Sequence, residues 1–185
     1  MTATLIVLGV VVVVVVVVAS LLTYNGLARR RNQVDNAWSQ IDAQLKRRCD
    51  LIPNLVETVY DYAGHERGTL EAVTEARARA INAQGSADQA TAENALTGAL
   101  KSLFAVAESY PDLRASQNFL ELQQELSATE DRAAYARQYY NDAVLTYNNA
   151  VTTVPQRILA AIFNFRPRAY FQAGGEERGP VRVQF

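Results

Sequence analysis

The chain has almost none of the residues that build reactive centres. Of its 185 residues one is histidine, His65, and one is cysteine, Cys49. A single thiol excludes an internal disulfide and suits a reducing cytoplasm. There is no Cys/His metal cluster, no HExxH helix, no phosphate-binding glycine loop and no nucleophile elbow, so we expect neither an enzyme nor a cofactor. His65 and Glu66 with Glu57 or Asp61 would make at most half of a metal site, and a histidine at a helix boundary is the simpler reading. A net charge of −1 gives no argument for nucleic acid as a partner. Proline is confined to Pro53, Pro111, Pro155, Pro167 and Pro180. Between the prolines the chain is rich in Ala, Leu, Glu, Gln and Arg, all good helix formers. We expect an all-α protein without a sheet.

Charge is absent before Arg29, and in its place stands a long apolar run. Thr4 to Leu22 includes nine consecutive valines, Val10 to Val18. About 20 such residues at roughly 1.5 Å of helical rise match a hydrocarbon core roughly 30 Å thick. In water this many β-branched residues favour strands and aggregation. In lipid the segment must satisfy its own backbone hydrogen bonds, which a helix does. We therefore expect a membrane span over 4–24 (Leu5, Val10, Val14, Val18, Leu22), with the bilayer as the first partner. The competing reading, a cleaved signal peptide, lacks a basic n-region, and the run exceeds a usual h-region. Arg29, Arg30 and Arg31 follow the span and no Lys or Arg precedes it. The positive-inside rule then puts residues 1–3 outside and the rest of the chain in the cytoplasm.

The rest reads as one helical domain. Leu27, Val34, Trp38, Ile41, Leu45, Ile52, Leu55, Val59 and Tyr62 alternate spacings of four and three once 31 and 48 are filled, a heptad seam. Only Gly26 interrupts the passage from span to seam, so the two are expected to be nearly continuous. Pro53 should remove one hydrogen bond and bend the helix near Cys49, with the first break at 63–65. A second helix is expected over Thr69–Ala83 (Leu70, Val73, Ala76, Ala80), then Gly85 in a left-handed turn and a cap at Ser86 or Asp88. A third uses Leu96, Leu100, Leu103 and Ala107. A fourth, capped by Ser116 and stopped by Pro155, carries Leu122, Leu126, Thr129, Ala133, Ala136, Tyr140, Ala143, Tyr147 and Ala150. The expected architecture is a transmembrane helix followed by an antiparallel four-helix bundle over 25–151, with long first and last helices. The seam residues read as core.

Arg48 falls on the seam. Either it is buried against a Glu such as Glu75, Glu108 or Glu130, or it snorkels to the surface. The last helix should return toward the membrane. Residues 24–48 hold six basic and two acidic residues, while 108–131 hold six acidic and one basic, and anionic lipid attracts the first and repels the second. Residues 152–172 form a short helix and a basic, aromatic foot. Ile158, Leu159, Ile162, Phe163 and Phe165 stand beside Arg157, Arg166 and Arg168. This foot either lies in the headgroup layer or caps the bundle core. The tail, 173–185, ends Val181-Arg182-Val183-Gln184-Phe185. It reads as flexible, with docking into a PDZ-type groove as a weaker alternative.

Several stretches together resemble the LemA family of membrane-anchored helical proteins. They are residues 35–56 (Asp35-Asn36-Ala37-Trp38 through Asp50-Leu51-Ile52-Pro53-Asn54-Leu55-Val56), His65-Glu66, 73–77, Glu108-Ser109-Tyr110-Pro111-Asp112-Leu113, 118–122, 140–144 and Phe163-Asn164-Phe165. The resemblance covers about 24–171 and leaves out the valine run and the tail. It implies one span, a cytoplasmic four-helix bundle and no established enzymatic activity. Cys49 stands where the family more often has an aromatic residue, so no cysteine chemistry carries over. Two functional expectations follow. One is a scaffold that self-assembles into a homo-oligomer, up to a higher-order ring, and remodels the membrane. The other is an adaptor that recruits a protein partner through the acidic loop or the tail.

Overall fold

The computed structural model describes residues 2–171, and those residues are helical without a strand. The elements are α1 (Thr2–Ala63), α2 (Arg67–Asn82), α3 (Gly85–Ala107), α4 (Pro111–Arg114), α5 (Gln117–Thr152) and α6 (Gln156–Ile162). The chain forms two compact units, one of residues 2–38 with 139–168 and one of 39–138 with 169–171. α1 and α5 contribute to both.

α1 is a single helix of 62 residues that takes in the valine run, Gly26 and Pro53. Ser20 and Thr23 donate their hydroxyls to the carbonyls of Val16 (2.7 Å) and Ala19 (2.8 Å), so the polar groups near the end of the run are satisfied within the helix. The first unit buries Leu27, Val34 and Ala37 of α1, Tyr140, Ala143, Val144 and Tyr147 of α5, and Ala160 and Phe165. Trp38 is half-buried and meets Tyr140 edge to face, with ring centroids 5.4 Å apart.

α6 ends in a left-handed turn. Asn164 has φ 57, a value that asparagine tolerates better than most residues. Phe165 N–H donates to the Ala160 carbonyl at 2.9 Å and Asn164 N–H to Ala161 at 3.4 Å. This is the Schellman pattern, which usually places the residue after the turn against the last helical turn. Phe165 is accordingly buried.

The second unit packs Cys49, Ile52, Leu55, Val59 and Ala63 of α1 against Leu70 and Val73 of α2 and Leu96, Leu100 and Leu103 of α3. Leu113 of α4, and Phe119 and Leu126 of α5, complete that core. The α1 stripe drifts from the heptad reading, since Tyr62 is exposed and Ala63 is buried. A straight helix at 3.6 residues per turn slips about 20° per heptad. α2 starts two residues before the expected Thr69 because Glu66, not a later residue, occupies its N-cap position.

Gly85 adopts φ +78. The residue at the N-cap of α3 is Gln84 and not Ser86 or Asp88; Asp88 instead accepts a hydrogen bond from the Gln84 backbone N–H at 2.8 Å. α4 is a further turn of helix absent from the sequence reading, started by Pro111 at a position where its missing N–H is harmless.

Candidate functional site

Two places gather polar and aromatic side chains in unusual surroundings. In the second unit Arg48 is buried on the α1 stripe. Its Nη1 lies 3.0 Å from Glu93 Oε2 and 2.7 Å from Glu130 Oε2, and its Nη2 donates to Thr97 Oγ1 at 2.9 Å. The side chains of Arg48 and Glu93 are 5% and 3% exposed. Arg137 pairs with the other Glu130 oxygen and lies over the Phe171 ring. Gln89 donates to the Ala80 carbonyl in the last turn of α2 (3.1 Å) and approaches Glu93.

The cluster thus joins α1, α3 and α5 with two arginines against two carboxylates. Burial raises Glu93 above the usual carboxylate range, opposed by the Arg48 charge. A pair this dry is held together by its geometry, because desolvation offsets much of the attraction. Glu130 is one of the partners expected for Arg48; Glu75 instead pairs with Arg79 on its own helix. Glu93 was missed. Its signal is the spacing Gln89, Glu93, Thr97, which lines polar groups along one side of an otherwise alanine-rich helix.

Beside this cluster, Pro53 leaves the Cys49 carbonyl without its usual donor four residues on. Arg77 of α2 supplies one, its Nε–H donating to Cys49 O at 2.7 Å. The Cys49 thiol is buried, and burial together with the Glu93 carboxylate pushes its pKa up to about 11. It is protonated at neutral pH and a poor nucleophile. An open groove between α1 and α2, lined by Ile52, Pro53, Val56, Tyr60 and Leu70, runs alongside Arg77. His65 is exposed in the turn after α1, and Glu66 accepts a hydrogen bond from Tyr110. Among the described residues no three metal-binding side chains come together.

The second place lies in the first unit. Leu5, Val10, Val14, Val18 and Leu22 are all exposed. Among the described residues α1 is the one helix long and apolar enough to cross a membrane. At the end of this run Tyr24 meets Phe163 (5.0 Å) and Phe165 (5.6 Å) edge to face, and Arg31 lies 5.3 Å over the Phe165 ring. Arg168 pairs with Asp35 at 2.9 Å and its backbone N–H donates to Asn148. Arg29, Arg157 and Arg166 are exposed and Arg30 is half-buried.

The five apolar residues grouped in the sequence therefore separate. Ile158, Ile162 and Phe163 are exposed, Leu159 is half-buried and Phe165 is buried. The left-handed turn at Asn164 causes this split by reversing the chain between the two phenylalanines. Of the expected seam, Ile41, Leu45, Ile52, Leu126, Tyr140 and Tyr147 are buried. The tail residues Val181, Val183 and Phe185 lie outside the described residues.

The chain is similar in sequence to known proteins. The chain is 29% identical over 161 residues to Protein LemA of Metamycoplasma hominis, covering 85% of this chain and 72% of that protein. It is 27% identical over 194 residues to Magnetosome protein MamQ 2 of Paramagnetospirillum magneticum, covering 91% and 71%. It is also 25% identical to Magnetosome protein MamQ of Magnetospirillum gryphiswaldense, covering 82% and 65%. The sequence profile of the LemA family matches residues 37–185, starting later than the motif resemblance and including the tail that the resemblance left out. Family match and exposed apolar run together point to a membrane-associated protein, and the chain belongs to the LemA family.

Proposed function

We propose that this protein is a non-enzymatic, single-pass scaffold of the bacterial inner membrane, with its N-terminus outside and its helical domain in the cytoplasm. In this reading α1, α2, α3 and α5 form an antiparallel four-helix bundle. Copies associate side by side through α1 into a homo-oligomer that organises or remodels the bilayer. The observation that carries it is the uninterrupted course of α1 from the valine run into the soluble helices. A span that continues as a domain helix couples contacts in lipid to contacts in water, which a span on a flexible linker does not. Short connections, such as the turn between α1 and α2, favour antiparallel neighbours. The arginines after the run support the orientation.

The adaptor reading draws less support. Of the acidic residues in 108–131, Glu125 is engaged by Arg47 and Glu130 by Arg48 and Arg137. The patch has correspondingly less free charge to offer a partner.

Measuring the mass of the full chain in nanodiscs or mild detergent tests the scaffold. A defined oligomer or ring supports it, and a monomer at membrane-like concentration refutes it. Replacing residues 4–24 with an unrelated span sharpens the result. Loss of assembly is expected, whereas full retention reduces the run to a tether.

A further inference from the structure

A short surface helix in water ordinarily turns its polar side outward. α6 turns large apolar side chains outward beside the exposed Arg157. Ile158 and Ile162, four residues apart and so on one face, are 61% and 67% exposed, and Phe163 just beyond is 48% exposed. The inward face carries the small Ala160. The helix is also fastened at a particular place. Phe163 contacts Tyr24, which lies two residues after the exposed pair Leu21 and Leu22 of the apolar run. The outward apolar face of α6 is thus continuous with the end of the run, where aromatic residues suit the interface between hydrocarbon and water.

Charge identifies what covers this face. Residues 24–38 and 154–168 contain six arginines and a single acidic residue, Asp35, and Asp35 is engaged by Arg168. A second copy seated on the same patch would bring these cations together. An anionic headgroup layer would neutralise them and accept the isoleucines just beneath it.

We propose that α6 and the end of the apolar run form a headgroup-level docking surface selective for anionic phospholipid. Ile158, Ile162 and Phe163 enter the acyl boundary, and Arg29, Arg157 and Arg166 hold lipid phosphates. The proposal rests on the membrane-anchored reading above but not on self-assembly.

The test uses the full chain in nanodiscs, with a fluorophore on an Ile162→Cys variant. Native Cys49 is buried and protonated, so it stays unlabelled. A label on Tyr135→Cys serves as the exposed control. We expect spin-labelled phosphatidylglycerol to quench the Ile162→Cys label and not the control. It should also quench more strongly than an equal amount of spin-labelled phosphatidylcholine. Arg157→Gln with Arg166→Gln should reduce that preference by up to roughly fivefold per arginine.

Equal quenching by the two lipids overturns the anionic selectivity. A label reached freely by aqueous iodide, or a ready disulfide between copies through Ile162→Cys, overturns the docking surface while α1 still holds the chain in the bilayer. A chain that is extracted from the bilayer by alkali overturns the anchored reading as well.

Discussion

The valine run and the Arg48 cluster are opposites. At Val10–Val18 the chain exposes the side chains that water rejects, and at Arg48 and Glu93 it buries those that water prefers. Neither arrangement is stable with bulk water as the only partner. The run needs another solvent, whereas the charges need one another. The difference is one of self-sufficiency: the charges of the cluster are paired within their own unit, Arg48 with Glu93 and Glu130 and Arg137 with Glu130, and the run has no such partner among the described residues.

The largest effect should come from breaking the cluster. Arg48→Met leaves Glu93 buried without its counter-charge, and we expect a loss of about 3–5 kcal/mol in urea unfolding followed by circular dichroism. Adding Glu93→Gln to that variant should recover part of the loss. If Arg48→Met alone is neutral, the cluster is not self-contained. Breaking the run at its middle with Val14→Arg should weaken insertion by about 3 kcal/mol, read as increased extraction by alkaline carbonate. The second unit should remain folded.

Smaller changes sharpen the same contrast. Arg77→Met should cost about 1–3 kcal/mol by orphaning the Cys49 carbonyl. In a Pro53→Ala background, where the backbone again supplies the donor, the substitution should be nearly neutral. A double-mutant cycle without coupling would refute that account.

The pH dependence of Glu93 is a further test. Its folded pKa is raised, first by burial, so the folded state binds more protons than the unfolded one. Its contribution is full below its ordinary pKa of about 4.3 and declines as pH rises through the raised value. The stability of the wild type relative to Glu93→Gln should therefore fall from mildly acidic toward alkaline pH. Least of all, Asn164→Ala should cost about 1 kcal/mol through its left-handed backbone, and Asn164→Gly should be tolerated. Only the first should release Phe165 from Tyr24, seen as a change in near-ultraviolet dichroism.

Much of this was legible in the residues. The run, the break at Gly64, the buried stripe Leu70, Val73, Ala76, Ala80 and the stop before Pro155 all follow from periodicity and breakers. That Pro53 leaves the Cys49 carbonyl without its helical donor also follows from the sequence, but the donor that replaces it does not. Arg77 looks like any surface arginine until α2 packs on α1. Glu93 misled for the same reason: a carboxylate on an alanine-rich helix is ordinarily solvated, and only an arginine on another helix makes burial tolerable. Phe163 and Phe165 are two apart in sequence and look equivalent. A single left-handed residue between them sends one outward and one into the core.

What the sequence alone determined is what depends on neighbours along the chain: helical class, the apolar run, the seam positions and the helix stops. These are set by side-chain spacing and by residues that cannot continue a helix. What the tertiary structure decided is which groups distant in sequence meet. The partners of Arg48, the donor to the Cys49 carbonyl and the attachment of α6 at Tyr24 were settled there. Burial and pairing energies depend on desolvation and on distances of a few ångströms across helices, which no periodicity encodes.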